Sequence, residues 1–146
     1  MNQLHITAIA LAVGFAFSTG AMAKGMSTGE YKSDKRGIET EYKSAKANCD
    51  SLSANAKDIC MAQAQGKEHV AKAELEARYK PSAKNHYQAR IAQADADYAV
   101  AKEKCDDKDG TVKDVCLREA QAAQTTAGAH AKAPSKTPDA NRPADE

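Results

Sequence analysis

The stretch YKSAKANCDSLSANAKDICMAQAQ, residues 42–65, returns as YAVAKEKCDDKDGTVKDVCLREAQ at residues 98–121, a shift of 56 positions. Tyr42 matches Tyr98, Ala45-Lys46 matches Ala101-Lys102, and Cys49-Asp50 matches Cys105-Asp106. Further on, Lys57-Asp58 matches Lys113-Asp114, Cys60 matches Cys116, and Ala64-Gln65 matches Ala120-Gln121. The chain is therefore built from two copies of one unit, and whatever folds the first copy folds the second.

That unit reads as a helical hairpin. Ile38, Tyr42, Ala45, Cys49 and Leu52 recur at spacings of three and four, as do Tyr87, Ile91, Ala94, Tyr98, Ala101 and Cys105. Each set is the one-sided apolar stripe of an amphipathic helix. A second segment in each copy continues the pattern, with Ala56, Cys60, Ala64, Ala71 and Leu75 in the first and Val112, Cys116, Ala120, Ala123 and Ala127 in the second. Nothing alternates with the period of two that a strand needs. Between the helices, Asp109-Gly110 is a turn signal, Thr111 opens T-V-K-D, and the aligned Asn55 opens N-A-K-D. An oxygen-bearing side chain with an acid three residues on is an N-cap pattern, so Asn55 and Thr111 are the expected helix caps. Pro81 ends or kinks the helix before it, because Lys80 is pushed out of the α region, and Ser82 can cap the next helix.

Hairpin geometry selects disulfide partners. On one continuous helix, cysteines eleven residues apart would stand about 16 Å from each other, whereas a disulfide needs Cα atoms within about 7 Å. Folding back at Asn55 and Thr111 brings Cys49 level with Cys60 and Cys105 level with Cys116. Pairing between the repeats is the alternative, available if the two hairpins touch through their cysteines. The expected fold class is all-α: two disulfide-stapled antiparallel hairpins in tandem, over residues 36–80 and 81–127, with a flexible segment at 24–35. From about Gly128 to Glu146 the chain turns to Ala, Pro, Lys, Ser and Thr without periodicity, and reads as a disordered tail.

Residues 1–23 decide the compartment. An apolar run from Ile6 to Phe17 precedes Ala21-Met22-Ala23, an A-x-A cleavage pattern before Lys24. The run is too short to span a bilayer, which takes about 20 residues, so no membrane insertion is expected once the signal is cleaved. Export to a periplasmic or extracellular space makes four cysteines a disulfide framework. The core needs those bonds: both phenylalanines, Phe15 and Phe17, lie in the signal and there is no tryptophan.

The pattern Y-x2-AK-x2-CD…KD-[IV]-C-x4-Q, duplicated around AELEARYKPSAKNHY (73–87) and ADADYAVAKEKCDD (94–107), resembles an uncharacterised family of small exported helical proteins of β-proteobacteria. Members are at times loosely described as cell-envelope or Tol-like. The resemblance spans about residues 30–127 and implies a periplasmic helical protein. It brings no catalytic residue, cofactor or ligand.

The residues themselves point away from catalysis. Structural zinc sites use close cysteine pairs, unlike the spacing here, and no Cys-x-x-Cys redox motif occurs. His69, His86 and His130 fall in no metal-binding pattern, and the carboxylates Glu39, Glu41, Asp95 and Asp97 follow helix faces. Asp106, Asp107 and Asp109 lack the ligand spacing of an EF-hand loop. A formal net charge of +1 supplies no electrostatic case for nucleic acid. The expectation is a non-enzymatic structural or interaction module of the cell envelope, without metal or cofactor, acting on an unidentified envelope protein, with Tyr31, Tyr42, Tyr79, Tyr87 and Tyr98 as candidate contact residues. The alternative is a stress-related binder, a holdase or a metal or redox buffer. Partner and oligomeric state are not encoded in any motif.

Overall fold

The computed structural model describes residues 25–132. They form four α-helices, α1 (Thr28–Cys49), α2 (Ala54–Tyr79), α3 (Ala83–Cys105) and α4 (Gly110–Lys132), and no strand among the described residues. The signal expected over 1–23, with Lys24, and the part of the expected tail beyond Lys132 lie outside the described residues.

Each helix end has an identifiable cause, and several differ from expectation. The segment 24–35 is not flexible throughout, because α1 already starts at Thr28. Ser27 Oγ accepts from Glu30 N (3.2 Å) and Glu30 Oε2 accepts from Ser27 N (2.7 Å), a full capping box. Asn55 and Thr111 are not the caps. Ser53 occupies the N-cap of α2 without a side-chain cap bond, and both hydrogen-bonded helices open one residue earlier, at Ala54 and Gly110. Those two residues are counterparts in the repeat, and both take left-handed φ, 49° and 53°. At the other end of the layer, Lys80–Pro81–Ser82 breaks the chain into separate helices. Ser82 Oγ caps Asn85 N at 3.1 Å, while Asn85 Nδ2 donates to Lys80 O at 2.7 Å.

The second hairpin runs past residue 127. Its last helix continues to Lys132, so residues 128–132 are helix and not tail. Long-range contacts hold them there: Ala131 is buried at 2% exposure, its carbonyl accepts from Arg90 Nε at 2.9 Å, and Gly128 lies within reach of Ile91. Composition alone could not reveal that anchor.

Both expected disulfides form, with Cα–Cα separations of 5.6 Å for Cys49–Cys60 and 5.7 Å for Cys105–Cys116. Each spans its own hairpin, so pairing between the repeats does not occur. Because consecutive helices are antiparallel, both disulfides lie at one end of the molecule. The start of α1, the Pro81 turn and the end of α4 lie at the other.

The helices pack in a single layer. α1 packs on α2, α2 on α3 and α3 on α4, and no other pair comes into contact among the described residues. Burial on the inner helices records this directly. Ala64 and Gly66 on α2, Leu75 and Ala77 on α2, and Ala92 and Ala94 on α3 are buried in pairs two residues apart. At 100° per residue such pairs point to nearly opposite sides. Ala64 faces Ile38, Tyr42 and Ala45 of α1, whereas Gly66 faces Ala96 of α3. An inner helix thus buries two edges, not the one stripe expected.

The α4 stripe also differs. Val112 is 60% exposed and Ala123 and Ala127 are exposed, while Cys116, Ala120, Gln124, Gly128 and Ala131 turn inward. Leu52, expected to extend the α1 stripe, sits in the turn after α1 at 42% exposure. Alanine dominates the core, and among the described residues Leu75 is its one fully buried large aliphatic side chain. No helix of the described residues is long and apolar enough to cross a membrane.

Candidate functional site

Small residues let α2 and α3 approach closely. A Cβ built on Gly66 would stand 2.9 Å from the Ala96 Cβ, closer than real carbon contacts allow, so only glycine fits at this crossing. On one face of the layer the two helices then diverge into a furrow of about 540 Å³. Its floor is Gly66, Val70, Ala71, Ala96, Val100 and Ala101. Its rim is polar: Gln63, Lys67 and Glu74 from α2, Gln93, Asp97 and Lys104 from α3. Toward the Pro81 turn it runs on past Glu74 into a shallower depression lined by Ala77, Arg78, His86 and Ala89. Among the described residues, only Asp97 of the charged rim has a side-chain hydrogen bond, accepting from Gln93 Nε2 at 2.9 Å. Lys67 and Glu74 carry no ion pair among the described residues.

The two ends of the layer are tied by different chemistry. At the disulfide end, Lys57 pairs with Asp50 at 3.1 Å and Lys113 with Asp106 at 2.7 Å. These are counterparts in the repeat, each joining the residue after one helix to the first turn of the next. The same turn hydrogen bonds recur too, Leu52 N to Cys49 O (3.0 Å) and Lys108 N to Cys105 O (3.1 Å). The hydrogen bond from Lys113 holds the Asp106 carboxyl below its ordinary range, and that bond in turn raises Lys113. Both aligned pairs were visible in the repeat as the matched Cys-Asp and Lys-Asp dipeptides; what could not be read was that the turn folds one onto the other.

At the opposite end, Tyr31 stacks on Tyr79 with centroids 4.4 Å apart, and the Tyr31 hydroxyl donates to the Glu76 carboxylate. That bond raises the Tyr31 pKa, because the carboxylate needs the phenol protonated. Thr28 Oγ1 lies 3.1 Å from the Tyr79 hydroxyl, and Asp34 reaches Arg78 at 3.6 Å. Two of the five candidate contact tyrosines are therefore engaged in clasping α1 to α2. Tyr42, Tyr87 and Tyr98 are half-buried along the seams.

Among the described residues the furrow is an apolar surface with a polar rim. No group of three or more His, Cys, Asp or Glu side chains converges on a common point among them. All four cysteines are in disulfides, leaving no thiol in this state. Asn55, expected as a cap, instead has its side-chain amide nitrogen buried without a partner, and Thr111 is exposed. Comparisons with protein-family models, with curated proteins and with solved structures find no match to this chain.

Proposed function

We propose that this protein is an exported, non-enzymatic module of the bacterial cell envelope, which presents the α2–α3 furrow to a helical protein surface. The observation that carries this reading is the furrow itself. An apolar floor between two helices is bordered by charges that form no ion pair among the described residues, and no further helix of the described residues covers it. Grooves of this kind take amphipathic helices, with small apolar residues on the floor and charges at the rim setting register.

Disulfides at both hairpins support function outside the reducing cytoplasm. The Ala21-Met22-Ala23 pattern supports delivery there by a cleaved signal, giving a mature chain that starts at Lys24. The likeness to the β-proteobacterial exported family supports the same compartment. Stapled helices lose little conformational entropy on binding, which suits a presenting scaffold.

The test is a photo-crosslinking amino acid placed at Val100, in the furrow floor, and at exposed Gln88 as a control, in cells making the full chain. Specific adducts at Val100 and not at Gln88 support the reading. Absence of any adduct at Val100 refutes it. N-terminal sequencing of the exported chain checks the compartment, since an intact Met1 contradicts cleavage after Ala23.

A further inference from the structure

We propose that the furrow face is a homodimer interface, with a second copy of this chain docked face to face about a two-fold axis that crosses α2 between Val70 and Ala71. This rests on the reading of the furrow as a protein-binding surface and names its occupant. The reason is a charge pattern that is its own complement.

On α2, Lys67 and Glu74 lie at equal distances on either side of that axis. An axis in the plane of the face and perpendicular to the helices lays α2 over α2 of the second copy with direction reversed. Lys67 of each copy then meets Glu74 of the other. The same axis must also suit α3, and nothing in the α2 sequence arranges that it should. Gly66 stands against Ala96, which fixes the register of the antiparallel pair. Moving from Gly66 to the axis on α2 therefore moves an equal distance back from Ala96 on α3, to between Ile91 and Ala92. There, Asp97 and His86 are equidistant from it. Each carboxylate again faces a basic side chain of the other copy. Asp97 and Glu74 line the furrow and His86 lines its continuation, all on the same face.

Lys67 and Glu74 have no ionic partner among the described residues. A partner unrelated to this chain would place no demand on opposite charges being equidistant from one axis on two different helices. A symmetric copy does, because every residue of an isologous interface must fit its own image. At the axis, Val70 meets Ala71 of the second copy, small enough for the two layers to approach closely. Two helices over about 27 Å of length bury on the order of 1,000 Å² in total, the lower end for a specific complex. An interface at that lower end belongs to a weak dimer.

Sedimentation velocity on the oxidised chain, from about 10 to 300 µM, reads this directly. The wild-type chain should pass from monomer to dimer across the range. Lys67→Glu alone puts two carboxylates together at both symmetry-related contacts, and Glu74→Lys alone does the same with two ammonium groups. Each should weaken self-association at least tenfold. Mixed in equal amounts, the two variants complement each other and should form a heterodimer as tight as the wild-type dimer. Both positions are exposed, and circular dichroism with thiol counting verifies that the variants keep their helices and disulfides.

A wild-type chain monomeric at 300 µM overturns the proposal, as does a mixture that fails to reassociate. If the Val100 probe captures another protein while the wild-type chain stays monomeric, the dimer is wrong and the furrow reading stands. If Val100 captures nothing, that broader reading fails.

Discussion

Ala54→Gly should stabilise this protein, although it replaces a good helix former at the start of a helix. Ala54 holds φ at 49°, a left-handed conformation that crowds its Cβ against the following carbonyl. That costs an L-residue roughly 1–2 kcal/mol. The repeat supplies its own control, because the counterpart of Ala54 is Gly110, with φ 53° and open space around a built Cβ. Steric room is therefore not at issue, only backbone strain. Against the relief stands the extra entropy that glycine gains in the unfolded chain, about 0.5–1 kcal/mol. Here that penalty is reduced, since residue 54 lies within the loop closed by Cys49–Cys60, which restricts the oxidised unfolded chain. The net expectation is a gain of about 0.5–1 kcal/mol, a rise in Tm of roughly 2–6 °C for a domain of this size. Gly110→Ala should lose about 1 kcal/mol by the same mechanism. The double exchange should come close to additive, because the two turns belong to separate hairpins. Thermal and urea unfolding of the oxidised proteins, monitored by circular dichroism, measure all three. A fall in stability for Ala54→Gly, or no loss for Gly110→Ala, would refute the strain reasoning.

Packing and charge set the remaining outcomes. Gly66→Ala gains up to about 1 kcal/mol of helix propensity but drives a Cβ to 2.9 Å from Ala96, so a net loss of about 1–2 kcal/mol is expected in urea unfolding, and a larger one for Gly66→Val. Removing Cys49–Cys60 by paired alanine substitutions should cost about 2–5 kcal/mol. Because α1 touches α2 alone among the described helices, amide exchange should quicken in α1 and leave α3 and α4 protected. Asp106 has a lowered folded pKa, so its contribution is present above its unfolded value and lost as pH falls through the folded one. Asp106→Asn should therefore lower Tm slightly at neutral pH, and the difference from wild type should close in acid as the folded-state carboxyl becomes protonated. Lys113 is raised, so the same pair loses its stabilising effect only at strongly alkaline pH, as the lysine deprotonates.

The hairpins and their crosslinks were legible because a cysteine spacing and a turn position constrain each other: eleven residues cannot be bridged along a helix, and can be bridged across one. The central seam was not legible in the same way. The inner helices that form it carry glycine and alanine at positions two apart, one for each flanking helix, such as Ala64 with Gly66 and Ala92 with Ala94, and a search for stripes of large apolar residues passes over them. Apolar edges on opposite sides of one helix also cancel the one-sided pattern by which a surface helix is recognised. The furrow draws on residues of α2 and α3 that are far apart in sequence and belong to no motif, so only packing reveals it. By contrast, the start of α1 could have been read although 24–35 was expected to be flexible, since Ser27-x-x-Glu30 is a capping box in plain sequence. The end of α4 was not, because it depends on Arg90, forty-one residues away, reaching the Ala131 carbonyl.

Because every interhelical contact among the described residues joins helices that are neighbours in sequence, the folding of this layer need not wait for a distant partner. Such low contact order goes with rapid folding. It also bears on how the correct disulfides are found. Closing the 11-residue separation of Cys49 and Cys60 is favoured over the 56 residues to Cys105 by about tenfold on chain entropy alone. A chain delivered N-terminus first into an oxidising space can complete its first staple while the second repeat is still arriving. Native pairing is then the kinetically easiest pairing, and oxidative refolding of the reduced protein should reach it without an isomerase.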